Sequence, residues 1–180
     1  MFSRSIRWRT LDGNGLEHLF ISATGDGLLA HGMIVSDNDG SRFAAHYTVT
    51  LSPDWGFREA TIETVEGTQL HLVRDDLGNW TADGIDLPEL GGCVDIDMSA
   101  SAFTNSLPIR RVGLELGEPR RFDMAWIPLD TLKPFRDGQV YTALGDGRYR
   151  YQSDETDFEG TITVDSDGLV LRYDPLFERV

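Results

Sequence analysis

Two aspartates two residues apart, Asp95 and Asp97, are followed along the chain by the pair Arg110 and Arg111. On a strand, side chains alternate, so Cys93, Asp95 and Asp97 share one face while Val94, Ile96 and Met98 take the core face. The two carboxylates then stand roughly 7 Å apart. Such a pair could act as acid and base, as in glycoside cleavage. It could equally form a solvated acidic face, or ion pairs with Arg110 and Arg111. Cys93 has no histidine near it in sequence to act as a base, and reads better as a small buried hydrophobe than as a nucleophile. His31 and His46 fall on one face of an expected hairpin, opposite each other. A metal would need two more ligands, and no Cys/His spacing supplies them. No metal and no cofactor is expected. Nucleophile-elbow, phosphate-loop, dinucleotide and zincin motifs are absent from the sequence.

Aromatic residues offer a second kind of chemistry. Arg110 opposite Trp126 would make a cation–π pair worth about 0.5–2 kcal/mol, or would hold an anionic or sugar group inside a cavity. Trp8, Trp55, Trp80, Trp126 and the ladder Tyr141, Tyr149 and Tyr151 could line a ligand pocket. Core packing and cross-strand pairing explain the same residues.

The elements that must position these groups read as strands. Turn signals recur every 8 to 12 residues or so, among them Asp12–Gly15, Gly25–Gly27, Asp37–Gly40, Glu66–Gly67, Gly117–Pro119, Gly145–Gly147 and Asp165–Gly168. Between them the chain alternates, and no stretch of helical length carries an apolar face of period 3.6. A dozen or so antiparallel strands follow, mostly meander-connected, with Ser99–Leu107 as the irregular or short helical insert. Period two allows the hairpins to be tested. A four-residue loop at Asp37–Gly40 sets Phe43 against Ile34 and Tyr47 against Ala30. The last hairpin sets Val164 against Leu169 and Ile162 against Leu171. A loop at Gly117–Pro119 sets Leu114 against Phe122 and Arg110 against Trp126. A loop at Gly145–Gly147 sets Tyr141 against Tyr151 and Ala143 against Tyr149. So many strands must hide their edges by closing as a barrel, curling as a roll or splitting into a sandwich.

Composition sets bounds. The 180 residues carry 30 acids and 16 bases, a net charge of −14. All the bases but Lys133 are arginine. The length suits one domain, 1–180, with a sizeable core. The acidity argues against nucleic acid and against anionic lipid as partners. A single cysteine forms no internal disulfide. Arg4, Arg7 and Arg9 precede no apolar stretch, and no apolar run is long enough to span a membrane, so a cytoplasmic protein is expected. Arg110, Arg111, Arg120 and Arg121, on one expected hairpin, would form a basic island suited to a polar head group.

An ordered series of motifs resembles a bacterial glycolipid-binding family, once a domain of unknown function. It comprises Trp8-Arg9, Gly15-Leu16-Glu17, then Gly78, Trp80, Asp83 and Gly84, then Gly92, Cys93, Asp95 and Asp97. Thr104, Asn105 and Leu107 to Arg111 follow, then Gln139 with Tyr141, Tyr149 to Tyr151, and the ending Asp165, Gly168, Tyr173, Leu176 and Phe177. Gly91 and Ala102 depart from the pattern. The resemblance implies an all-β, antiparallel sheet rolled on itself as a spiral β-roll, with at most one or two short helical turns. It implies binding of a glycolipid or similar amphiphile, and a non-enzymatic carrier that holds the ligand inside the curled sheet is expected. The candidate binding residues are Arg110, Arg111, Asp95, Asp97, Asn105, Trp80, Trp126, Tyr141 and Tyr151. The alternatives are a hydrolase using Asp95/Asp97 with Arg110/Arg111, and an interaction module with a filled core. Exposed edges of a roll also allow a homodimer.

Overall fold

The computed structural model describes residues 2–38 and 40–180. Met1, and Asp39 of the expected Asp37–Gly40 loop, lie outside the described residues. Fifteen strands form one sheet. The first eight are β1 (Ser3–Thr10), β2 (Leu16–Ala23), β3 (Leu28–Asn38), β4 (Ser41–Leu51), β5 (Phe57–Thr64), β6 (Gln69–Arg74), β7 (Trp80–Ala82) and β8 (Ile85–Asp86). After a 3₁₀ turn at Pro88–Leu90 come β9 (Asp95–Met98) and the helix α1 (Ser106–Arg111). The remaining strands are β10 (Pro119–Ile127), β11 (Phe135–Gly145), β12 (Arg148–Ser153), β13 (Glu159–Val164), β14 (Val170–Asp174) and β15 (Phe177–Arg179).

The strand order is β8 back to β1, then β15 back to β9. Consecutive strands therefore pair everywhere except between β8 and β9, which are the sheet's two free edges. Strands β1 and β15 join the halves, with Trp8 opposite Arg179. The Trp8 indole N–H donates to the Val170 carbonyl at 2.8 Å, tying the first strand to the last hairpin. Along most strands one parity faces inward, where Leu19, Ile21, Val49, Ile62 and Leu72 are fully buried. The all-β curled roll follows from this alternation, since each buried Leu, Ile or Phe contributes about 1.5–3 kcal/mol.

Helix α1 and the loop before it fill the hollow of the roll. Phe103, Leu107 and Ile109 are buried there, and Phe103 stacks on Tyr47 with centroids 6.3 Å apart. Pro108 stands in the first turn of α1, where a backbone N–H would have no partner within the helix.

The expected registers fared differently. Tyr141 pairs with Tyr151 and Ala143 with Tyr149, as the alternation predicts. The hairpin β3–β4 pairs Ser36 with Phe43 and Ala45 with Ile34, two residues from the expected register, because pairing continues to Asn38 opposite Ser41. The buried face survives, since a two-residue slip preserves parity. His31 consequently faces Thr48 and His46 faces Met33, so the two histidines are not opposite. In the last hairpin Ile162 pairs with Tyr173 and Val164 with Val170. The irregularity between them carries Leu171 to the outer face, where it is 39% exposed. The hairpin expected at Gly117–Pro119 does not form. Arg110 and Arg111 end a helix, and β10 pairs instead with β11 and, in parallel, with β9.

Gly32 shows how tightly the inner layer is packed. A Cβ there would lie 2.1 Å from the Tyr47 ring. Gly32→Ala should destabilise the fold by about 1–3 kcal/mol in urea denaturation, since the buried ring cannot step aside.

Candidate functional site

The site is built on a buried carboxylate, that of Glu17. Leu19 and Ile21 point inward from β2, and the same parity turns Glu17 inward, where it is 2% exposed. Its Oε1 accepts hydrogen bonds from the Tyr47 and Ser101 hydroxyls, both at 2.7 Å. Its Oε2 accepts from the backbone N–H groups of Ala102 at 2.8 Å and Phe103 at 3.3 Å. Burial raises the Glu17 pKa, and the four donors pull it back. These bonds fix the segment between β9 and α1 against the sheet.

A second buried carboxylate lies beside that segment. Asp97 is 3% exposed. Its Oδ1 accepts from the Thr104 hydroxyl at 2.8 Å and from Asn105 Nδ2 at 3.1 Å. Its Oδ2 accepts from Gln139 Nε2 at 2.7 Å. The Gln139 amide oxygen in turn accepts from the Tyr141 hydroxyl at 3.2 Å. Every donor to Asp97 is neutral. Burial pushes its carboxyl up to about 7, the bonds from Gln139 and Thr104 oppose this, and Asp137 nearby adds to it. Asp95 differs. Arg111 Nε and Nη2 both donate to its Oδ2, at 3.0 and 2.8 Å. Burial still carries Asp95 to about 6, against the pull of Arg111.

A pocket of about 240 Å³ opens above Asp97 and Asn105. Its walls are largely aromatic: Trp126, Tyr151, Tyr173, Phe158 and Phe177. The rings of Tyr151, Phe158, Tyr173 and Phe177 touch in series, with centroids 5.7 Å apart from Tyr151 to Tyr173 and 6.1 Å from Tyr173 to Phe177. Asn105 is 3% exposed, and its Oδ1 is buried without a hydrogen-bond partner. Ala100 and Ser101, held through the Glu17 contacts, complete the floor.

Four of the nine expected site residues meet in this pocket: Asp97, Asn105, Trp126 and Tyr151. Tyr141 stands behind it, fully buried, joined to Asp97 through Gln139. The other four lie elsewhere. Trp80 stacks on Phe57 with centroids 5.2 Å apart. The Arg110 guanidinium lies 4.8 Å from the Trp55 ring centre, not on Trp126. Asp95 and Arg111 pair with each other. The arginines form no island, because Arg121 is spent on Asp123 and Asp154 and Arg120 lies over Phe122. Ile96 and Met98 are buried in the core as expected, but Asp95 and Asp97 are buried too, so β9 has no solvated acidic face. Cys93 is buried as expected, with its thiol pushed up to about 11 by burial. Gln139 and Thr104 were missed as site residues. So was Glu17, although an acid on the inward parity of β2 is a legible sign.

The family model described as "Putative glycolipid-binding" matches residues 5–179. No curated protein matches. Among solved structures, the chain is similar to a DUF1089 family protein from Pseudomonas aeruginosa. The two share 33% identity over 93% of this chain and 92% of that one, with a TM-score of 0.82. No helix among the described residues is long and apolar enough to cross a membrane.

Two outcomes follow from the buried acids. Glu17→Ala leaves the donors of Tyr47, Ser101, Ala102 and Phe103 unpaired, and should cost about 3 kcal/mol or more in urea denaturation. The folded Asp97 carboxyl sits near 7 against an ordinary 3.8, so the native state holds its proton more tightly than the unfolded chain does. This group therefore favours folding fully below about pH 4, and its contribution is lost as pH rises to about 7, on the order of 4 kcal/mol in all. Asp97→Asn should gain on the wild type by up to that amount between pH 4.5 and 7.5. Parallel stability curves for the two would refute the assignment.

Proposed function

The chain belongs to the glycolipid-binding family, and on that premise we propose that it is a non-enzymatic binding protein for an amphiphile. The observation that carries this reading is the pocket between β9, β10, β12, β14 and β15. It has apolar walls and a few convergent polar groups at its base, the usual make-up of a small-molecule site. Its 240 Å³ equals about eight water-sized units, enough for a head group with a short stretch of chain. Any longer tail would have to continue outside it.

The hydrolase reading draws less support. Asp95 and Arg111 are engaged with each other, Arg110 with Trp55, and none of the three lines the pocket that holds Asp97. The hollow is packed by α1, and the pocket beside Asp97 and Asn105 is the open space left next to it, which favours binding over a module with no small-molecule site.

Thermal unfolding with hexyl glucoside tests the binding reading. At a concentration about 100 times its Kd, a ligand stabilises the native state by about 2.7 kcal/mol. For a chain of this length that is about 5–10 °C in Tm. Absence of any shift with hexyl glucoside, hexylammonium and hexanesulfonate alike would overturn the reading.

A further inference from the structure

The two aspartates of β9 differ in one respect that bears on the ligand. Asp95 has its cation, Arg111, at 2.8 Å. Asp97 is as deeply buried and has none among the described residues; its three donors are a hydroxyl and two amides. Among the described residues no Arg, Lys or His lines the pocket, and Asp97 is the only charged one that does. A buried carboxylate without a cation is costly, and a cation placed beside it offsets part of that cost.

The rest of the pocket points the same way. Trp126, Tyr151, Tyr173, Phe158 and Phe177 ring the space. Aromatic faces carry negative quadrupole density and attract a cation within about 6 Å of the ring centre, more strongly when it is desolvated. Asn105 offers an orphaned acceptor, Oδ1, which only an N–H or O–H donor can satisfy. An anionic head would meet the Asp97 carboxylate and the Asn105 carbonyl oxygen, with no cation among the described lining residues to offset them.

Resting on the binding reading above, we propose that this pocket takes a protonated amine, the ammonium head of an amphiphile. The ammonium sits among the aromatic rings, its charge set against Asp97 and one N–H given to Asn105 Oδ1. The attached chain runs out along Leu176. The arginines are thus excluded from head-group recognition, and the sign of the ligand's charge is opposite to the one a basic island would select.

The groups facing Asp97 are few. They are Asp137, Gln139 and Tyr141 from β11, Tyr151 from β12, Tyr173 from β14, and Thr104 and Asn105 from the segment before α1. None of these tyrosines ionises near neutral pH, since burial raises all three. Asp97 is therefore the group that sets the pocket's charge, with Asp137 adding to it.

Calorimetric titration with three probes of equal chain length tests this: hexylammonium, hexyl glucoside and hexanesulfonate. At pH 8 hexylammonium should bind at least tenfold more tightly than the glucoside, and hexanesulfonate more weakly than either. Lowering the pH to 5.5 leaves an alkylammonium charged, since its proton is held like that of lysine. It protonates Asp97, and hexylammonium should weaken by roughly thirtyfold while hexyl glucoside changes little. Asp97→Asn should abolish both the preference and its pH dependence. The pH series on the wild-type protein serves as the test if that variant fails to fold. Glucoside binding equal to or tighter than ammonium, or ammonium binding flat in pH, overturns this proposal and leaves the binding reading intact. Failure of all three probes overturns both.

Discussion

Glu17 is the contact on which the interior depends. A carboxylate buried to this degree is tolerable only with a nearly full set of donors. Three of its four donors come from one short segment, Ser101 to Phe103, and the fourth from Tyr47 on the sheet wall. The segment is thereby held at one height in the roll. Phe103 then lies flat on Tyr47, Thr104 reaches Asp97, and Leu107 and Ile109 of α1 plug the hollow. A purely apolar contact would hold the segment loosely, because hydrophobic burial has no direction. Hydrogen bonds to a fixed carboxylate have one.

Local alternation was enough to read the strands, and its failures have local causes. The turn at Gly145–Gly147 fixed the pairing of Tyr141 with Tyr151, and with it the aromatic wall. Irregular pairing near Val164 carried Leu171 outward, which no count of residues from the turn reveals. Val112 and Leu114 alternate like a strand with Arg110, yet they are only half-buried against the core after α1 ends. Period two over three residues is weak evidence when a helix can bury Ser106 to Ile109 on every side. Strand β1 meets β15, a pairing between the ends of the chain that joins the two halves of the sheet and that no hairpin could show; the resemblance implied only that the sheet is rolled.

The candidate site was half legible for a related reason. Residue type marked Asp97, Asn105, Trp126 and Tyr151, and the fold brings these four together. Spacing grouped Asp95 with Asp97 and Arg110 with Arg111, and the fold separates the members of each pair. Neighbours at i and i+2 share a face, but the curvature of the roll and the insert inside it give each a different partner. Arg111 meets Asp95, whereas the neutral cluster of Thr104, Asn105 and Gln139 meets Asp97. Which carboxylate keeps a cation is decided by contacts across the hollow, and those are not written in local sequence.

The location of the site follows from the one break in the meander. Every adjacent pair of strands is antiparallel except β9 and β10, which run parallel. A parallel pair cannot be closed by a tight turn and needs a crossover of a dozen or more residues. Residues 99–118 are that crossover, and they cannot lie over the sheet edge without exposing Phe103 and Leu107. Residues 101–109 enter the hollow instead, bringing backbone and hydroxyl groups into an interior that strands alone would line with side chains. Buried polar groups then need partners, and Glu17 and Asp97 supply them from the sheet. Among the described residues Asn105 Oδ1 is the one buried side-chain acceptor of the segment left over, and Asn105 lines the pocket. The parallel strand thus accounts for a polar floor in an otherwise aromatic cavity.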